Sequence, residues 1–199
     1  MSHSKTTADL NVLVIDENVI RASIIEEGLN EAGHLKVTVI HEMQGVARLI
    51  ETLDPDVIII DIENPNRDMM EHMFQLTRMI SRPIAMFVDR SDTAAIEAAV
   101  DAGVSAYVVD GLKKERIKPI LDMAVSRFNA FSRLQRELVE ARNALEERKV
   151  IERAKGILMK MRGLSEEQAF ALLRQTAMNE KKKLADIAQS VVTAAGLLL

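Results

Sequence analysis

Short apolar runs alternate with segments of helical periodicity along the first 110 residues, and this alternation constrains the fold more than any other feature. Most of the runs lack the polar alternation of a half-exposed strand, which is typical of parallel strands buried on both faces. Five strands are predicted, over residues 11–15, 35–39, 56–61, 83–88 and 104–109. Helices are expected over 20–32, 46–50, 70–80 and 93–102, the first with its apolar spacing at Ile20, Ile24, Leu29 and Ala32. This order predicts an α/β fold, an open parallel sheet with helices on both faces.

Composition excludes several classes of protein and site. The 199 residues include no cysteine, which excludes a disulfide framework, a thiol nucleophile and a zinc–thiolate centre. No apolar stretch approaches the roughly 20 residues that a membrane-spanning helix needs. Residues 1–9 lack the apolar core of a signal peptide and are expected to form a mobile tail. We therefore expect a cytoplasmic protein that does not contact a membrane.

Carboxylates follow four of the five predicted strands. They are Asp16 and Glu17 after the first strand, Asp61 after the third, Asp89 after the fourth and Asp110 after the fifth. The carboxyl ends of parallel strands meet at one edge of a sheet, where such folds place their functional crevice. Like charges crowded there raise one another's pKa values unless a cation offsets them. Phosphoryl transfer onto a carboxylate uses such a cluster, with one Asp as nucleophile and an acidic pair that holds Mg²⁺.

Residues 10–125 resemble a two-component receiver domain, which is a flavodoxin-like fold with five parallel strands. The resemblance places Asp16 and Glu17 at the acidic pair and Asp61 at the phospho-acceptor position. It implies that Mg²⁺, if any cofactor binds, is held by these three carboxylates.

Two positions depart from the receiver pattern. Val88 stands where the pattern has a Ser or Thr that hydrogen-bonds a phosphoryl oxygen, and Asp110-Gly111 stands where it has Lys-Pro. Val88 has no group to donate, and the charge of Asp110 would repel a phosphate. We therefore expect a degenerate receiver that needs no cofactor, acts through protein contacts and is not switched on by phosphorylation of Asp61.

A long helix is predicted after the fifth strand, because no glycine or proline occurs between Pro119 and Gly156. From residue 131 its apolar positions are spaced alternately by three and four residues, with charged residues on the flanks, which is the pattern of a two-stranded coiled coil. The seam positions are Phe131, Leu134, Leu138, Ala141 and Leu145. We predict that residues 127–149 form a coiled-coil connector and a homodimer. The alternative is that this helix packs only on its own domain.

The two ends of the chain carry opposite charge. Residues 149–199 hold nine Lys and Arg against five Asp and Glu, whereas the preceding residues hold 17 basic and 25 acidic side chains. This split suggests two modules with different partners. Eight basic side chains are candidates for RNA phosphate contacts: Arg153, Lys155, Lys160, Arg162, Arg174, Lys181, Lys182 and Lys183. By charge alone, a solvated helix face is a slightly better explanation.

Residues 150–199 are predicted to form a unit of three helices. Gly163 ends the first helix, and Ser165 with Gln168 has the pattern of a capping box that begins the second. The basic run 181–183 precedes the third helix. The first helix is expected to bury positions 150, 151, 154, 157, 158 and 161.

The stretch 149–195 closely resembles the ANTAR domain of the AmiR/NasT family of transcription antiterminators. The matching segments include IERAKGILM at 151–159, AFALLR at 169–174 and KLADIA at 183–188. The resemblance implies a receiver-like domain at 10–126, the connector at 127–149 and an ANTAR unit at 150–199. It implies a protein that is not an enzyme and that binds a paired-hairpin motif in leader RNA, where it prevents a terminator from forming. Within the family the chain is most similar to nitrate and nitrite assimilation regulators, which implies sequestration by a nitrate-sensing partner.

Two other functions stay open on the residues alone. One is a DNA-binding response regulator with a C-terminal helix-turn-helix, although the last helix offers few long polar side chains beyond Lys183, Asp186 and Gln189. The other is an adaptor that binds only proteins. Because no aromatic residue follows Phe170, RNA recognition is expected from helix faces, Lys and Arg rather than from base stacking.

Overall fold

The computed structural model describes residues 10–34, 36–42, 45–110 and 112–198, and two compact units meet between Ser132 and Arg133. The predicted tail 1–9 and Gly111 lie outside the described residues. The strands are β1 (Asn11–Ile15), β2 (Lys36–Ile40), β3 (Val57–Ile62), β4 (Ile84–Val88) and β5 (Ala106–Val109). The helices are α1 (Val19–Glu31), α2 (Val46–Leu53), α3 (Arg67–Met79), α4 (Thr93–Asp101), α5 (Lys114–Arg162), α6 (Glu166–Glu180) and α7 (Leu184–Leu198).

The five strands form one parallel sheet in the order β2-β1-β3-β4-β5, which confirms the predicted fold. The strand order reverses at β1, because the chain moves to one side for β2 and to the other for β3. In sheets of this kind, ligand crevices form at such a reversal, outside the carboxyl ends of the strands. The fold therefore directs attention to the residues that follow β1 and β3.

Alternate residues of the central strands face two separate apolar layers. Leu13 and Ile15 of β1 pack with α2, α3 and α4, whereas Val12 and Val14 pack with α1 and α5. Helix α1 buries Ile25 and Leu29, but Ile20, predicted to face inward, is 74% exposed. The reason is helical phase: with about 3.6 residues per turn, Ile20 lies on the side of α1 opposite the buried Ala22 and Leu29, so its side chain points away from the sheet.

Helix α5 runs unbroken through the predicted connector, as expected from the lack of glycine and proline. Its first turns bury Ile117, Leu121 and Ala124 against the sheet. The large seam side chains farther along, Phe131, Leu134, Leu138 and Leu145, are 52 to 60% exposed. The helix is thus confirmed, whereas the coiled coil and the dimer stay predictions.

The second unit contains the predicted three helices: the end of α5, then α6 and α7. Its core holds Ala154, Leu158, Ala169, Leu173, Ala177, Ile187 and Ala188. Met161, expected inward, is exposed, because it lies in the last turn of α5, beyond the region that α6 and α7 cover. The capping box is confirmed, since Ser165 Oγ accepts from the Gln168 N–H at 3.2 Å and Gln168 Oε1 accepts from the Ser165 N–H at 2.9 Å. Across the described ranges, no helix is both long enough and apolar enough to span a membrane.

Candidate acidic pocket and nucleic-acid interface

An acidic pocket lies at the carboxyl ends of β1 and β3 in the first unit. Asp16 follows β1 and Asp61 lies near the end of β3, and each residue is 2% exposed. The parallel pairing of Ile15 with Ile60 brings the two carboxylates to the same edge. A cavity of about 640 Å³ opens there, and Glu17 lines it as well. The structure therefore brings Asp16 and Asp61 together at this edge, with the exposed Glu17 on the lining of the same cavity.

Arg21 extends from the first turns of α1 into this cluster. Its Nε and Nη2 donate to the two oxygens of Asp61, at 2.5 and 2.9 Å, and its Nη1 lies 2.8 Å from Asp89 Oδ1. The Asp61 side chain is fully buried under this contact, whereas Asp89 is partly exposed. The sequence interpretation missed Arg21, since an arginine in the first turns of an amphipathic helix is usually a solvated residue.

The N-cap of α1 holds Arg21 in place. The Asn18 side chain is the N-cap of α1 and accepts from the backbone N–H groups of Ile20 and Arg21, at 3.0 and 3.3 Å. The Asn18 N–H donates to Asp16 Oδ1 at 2.8 Å. The segment from Asp16 to Arg21 is therefore held as one hydrogen-bonded turn, which fixes where the guanidinium enters the pocket.

The two buried carboxylates of the pocket differ in how far a neighbouring group offsets their negative charge. The pKa of Asp16 is raised from 3.8 to about 7, mainly by burial, with the negative charge of Asp61 acting in the same direction and the Asn18 N–H opposing it. The other oxygen of Asp16, Oδ2, is buried and has no hydrogen-bond partner among the described residues. The hydrogen bond to Asp61 raises the pKa of Arg21 above its usual value, so that this cation is permanent at any physiological pH.

At the two positions that depart from the receiver pattern, the structure has a buried apolar side chain and an acidic one. Val88 is buried at the end of β4 and offers no polar side-chain atom. Asp110 has a left-handed backbone, with φ of 47°, and its N–H donates to the Val88 carbonyl at 2.9 Å. Its side chain adds negative charge after β5 rather than the positive charge of a lysine.

Most of the predicted RNA-contacting side chains lie on the surface of the second unit. Arg153 is on α5, Lys160 and Arg162 occupy its last turn, and Arg174 projects from α6. The exposed run 181–183 joins α6 to α7. Within the described ranges, Lys182 pairs with Glu180 at 2.8 Å, and the other side chains of this set, apart from Lys155, form no ion pair.

Lys155 was predicted to contact RNA phosphates, but the structure does not place it among the exposed basic side chains. Its side chain is only 10% exposed, and its Nζ lies 2.8 Å from Glu152 Oε1 and 2.6 Å from Glu166 Oε1. The hydrogen bonds to the two glutamates, that to Glu152 first, raise its pKa, and the contact lowers the pKa of Glu166. Because its charge is used to join α5 to the start of α6, Lys155 is a structural residue and not an exposed phosphate contact.

The outer face of α6 also carries apolar side chains that the sequence interpretation did not use. Phe170 is exposed four residues before Arg174, and Met178 is exposed four residues after it. This spacing places the three side chains in one row along the helix.

Two family models match the chain in consecutive segments. The response regulator receiver domain matches residues 12–122, and the ANTAR domain matches residues 140–192. The chain belongs to the AmiR/NasT family of ANTAR regulators. The sequence-based family assignment is thereby confirmed.

Relatives of this ANTAR regulator share its whole length or only part of it. It is 30% identical over 185 residues to the transcriptional regulatory protein PdtaR of Mycobacterium tuberculosis, and this alignment covers 93% of this chain and 90% of that protein. It is 36% identical over 80 residues to the nitrate regulatory protein of Klebsiella oxytoca, which covers 40% of this chain and 20% of that protein.

Solved structures match the receiver part of the ANTAR regulator. A response regulator from Thermotoga maritima has a TM-score of 0.51 and 19% identity, and covers 59% of this chain and 98% of that chain. A CheY-like receiver domain protein from Methanospirillum hungatei has a TM-score of 0.53 and 13% identity, and covers 61% and 98% respectively. At these identities the likeness establishes the fold alone.

The receiver fold implies a divalent metal at the acidic pocket, but the residues of this ANTAR regulator do not fit one. Arg21 already donates to both oxygens of Asp61, the residue that a metal and a phosphoryl group would share. Within the described part of the chain, no three His, Cys, Asp or Glu side chains are grouped so as to hold a metal ion. The pocket is a carboxylate–guanidinium cluster.

Proposed function

We propose that this ANTAR regulator binds a paired-hairpin motif in nascent leader RNA and thereby prevents an intrinsic terminator from forming. The observation that supports this most is the set of exposed basic side chains, most of them without an ion pair in the described structure, in the segment that matches the ANTAR domain. On this proposal the protein works in the cytoplasm, where nascent RNA is made, and acts as a regulator rather than an enzyme, which its receiver and ANTAR matches support.

The proposed RNA surface combines seven cations: Arg153, Lys160, Arg162, Arg174, Lys181, Lys182 and Lys183. Since most of them have no carboxylate partner among the residues that the structure describes, their charge is available to neutralise phosphates and to release condensed counterions, which drives such binding. Helix α6 also contributes Phe170, whose exposed ring lies in the same row as Arg174 and offers a face on which an unpaired base can stack.

We infer that the protein acts as a homodimer through the seam of α5. A paired-hairpin target contains two similar elements, and two copies of the chain would present two RNA-binding units to it. The exposed side chains of the seam supply an apolar stripe with the spacing that a second helix requires.

The physiological setting that we propose is nitrate or nitrite assimilation, with a nitrate-sensing protein that sequesters the regulator. The partial similarity to the nitrate regulatory protein of Klebsiella oxytoca supports this. We place the binding site of that partner on the receiver unit. The pocket of this unit lacks the residues that would respond to a phosphoryl group, so its regulation is assigned to protein binding.

The DNA-binding alternative depends on α7 as a recognition helix. Its exposed positions beyond Asp186 include Gln189, Ser190 and Thr193, which are mostly too short to reach base edges in a major groove. A helix that lacks an exposed Arg or Lys in its body is a weak reader of guanine, so the structure favours RNA.

The test is a filter-binding titration of the full chain against a two-hairpin leader RNA and a DNA duplex of equal length. The logarithm of RNA affinity should fall with the logarithm of salt concentration, with a slope of about 0.7 to 0.9 per phosphate contact. Arg174→Glu, and Lys181→Glu, Lys182→Glu and Lys183→Glu together, should weaken binding and flatten that slope. Arg48→Glu on exposed α2 of the first unit is the charge-matched control and should change neither quantity. Equal or tighter binding to the duplex would favour the helix-turn-helix function, and binding to neither would favour the adaptor.

A further inference from the structure

The acidic pocket contains its own positive charge. Arg21 is bidentate on Asp61 and reaches Asp89 with a third nitrogen, so one guanidinium bridges the carboxylates at the ends of β3 and β4. Bidentate, charge-assisted pairs of this kind are the strongest of the ordinary side-chain hydrogen bonds. The capping interaction of Asn18 holds the backbone of Arg21 in place, so the side chain enters from a fixed anchor.

This arrangement is incompatible with phosphorylation of Asp61 and with binding of a divalent metal, the two events that take place in receiver pockets. A carboxylate that attacks a phosphorus atom needs an oxygen open to the donor, and both oxygens of Asp61 face the guanidinium. A divalent metal needs the same oxygens, and a permanent positive charge within hydrogen-bond distance of them repels a second cation. The buried Oδ2 of Asp16, which has no hydrogen-bond partner among the described residues, fits this account, because the guanidinium of Arg21 donates to Asp61 instead.

We propose that Arg21 is the resident cation of the receiver pocket, where it takes the place of a divalent metal and keeps Asp61 from accepting a phosphoryl group. The negative charge of Asp61 is thereby offset by a permanent cation. Regulation of the receiver unit must then come from a protein that binds its surface. This proposal is independent of the RNA-binding function, because it concerns only the first unit.

The experiment measures thermal unfolding of the full chain by circular dichroism, with and without about 10 mM MgCl₂. Arg21→Gln removes the cation, Arg21→Lys keeps a positive charge at the same position, and Arg48→Gln removes an exposed arginine elsewhere. Mg²⁺ should raise the midpoint of Arg21→Gln by about 2 to 5 °C, because a ligand that binds only the folded state stabilises it. Wild type, Arg21→Lys and Arg48→Gln should not respond. Electron paramagnetic resonance should likewise detect Mn²⁺ binding to Arg21→Gln and no binding to wild type, Arg21→Lys or Arg48→Gln.

A response of wild type equal to that of Arg21→Gln would overturn the proposal, and so would the absence of any response in folded Arg21→Gln. Wild type supplies a second readout that does not depend on whether the variant folds. Incubated with acetyl phosphate and Mg²⁺, it should keep its intact mass by mass spectrometry. The gain of a phosphoryl group in wild type that is absent from Asp61→Asn would also overturn the proposal.

Discussion

The dimer proposal can be tested by placing charges in the seam of α5. We consider the double substitution Leu134→Lys and Leu138→Lys. Both leucines lie on the seam and retain more than half of their exposure in the single chain, at 59 and 52%. If a second helix covers them in solution, lysines at these positions place four positive charges into the apolar contact of the dimer.

The expected loss of dimer stability follows from the leucine surface that is exposed in the single chain and that a second helix would bury. Complete burial of a leucine side chain stabilises by about 1.5 to 3 kcal/mol, so covering the exposed half contributes roughly 1 kcal/mol per leucine. Two leucines in each of two protomers therefore contribute roughly 4 kcal/mol, which corresponds to a factor of about 10³ in the dimer Kd. Repulsion between the lysines adds to this loss.

Light scattering coupled to size-exclusion chromatography measures the result at concentrations of tens of micromolar. Wild type should elute as a dimer and the seam variant as a monomer with unchanged helix content. Val139→Lys with Asn143→Lys is the matched control, because it adds the same charge to exposed positions of the same helix outside the seam. A monomeric wild type, an unchanged mass of the seam variant, or an equal loss in the control would refute the reasoning.

Four further outcomes are expected. Acetyl phosphate should not increase RNA affinity in wild type, and Asp61→Asn should match it in the filter-binding assay; a gain in wild type alone would contradict the degenerate receiver. Ser165→Ala removes the N-cap of α6 and should lower the free energy of unfolding by about 1 kcal/mol in urea titrations. Leu173→Ala leaves a cavity in the core of the second unit and should cost about 2 to 5 kcal/mol in the same assay. Because burial holds the pKa of Asp16 near 7, against 3.8 for its usual value, the folded state retains this proton longer than the unfolded chain. Asp16 should therefore contribute a progressive loss of stability as the pH rises from about 4 to about 7, and the free energy of unfolding of Asp16→Asn relative to wild type should rise across that range.

Local patterns predicted the architecture well because they reflect local physics. The apolar run of β1, the helix stop after α1 and the capping box at Ser165 each depend on a few neighbouring residues, and the structure confirms all of them. The inward faces of α6 and α7 follow from helical spacing in the same way. Two apolar side chains predicted to be buried are exposed for different reasons: Ile20 lies on the face of α1 opposite its buried residues, whereas Met161 lies in the last turn of α5.

The sequence by itself determined the order of the elements, the position of the acidic residues at one edge of the sheet, the continuous helix α5 and the membership of the family. Only the tertiary structure decided which charges meet. Arg21 and Asp61 are 40 residues apart, and Lys155 and Glu166 belong to different helices, so no periodicity relates them. A basic side chain has the same appearance in a sequence whether it faces solvent or a buried carboxylate, since its partner is set by how distant segments pack. For this reason the sequence identified the acidic pocket and the basic unit, whereas the structure showed that Arg21 pairs with Asp61 in the first and that Lys155 pairs with Glu166 in the second.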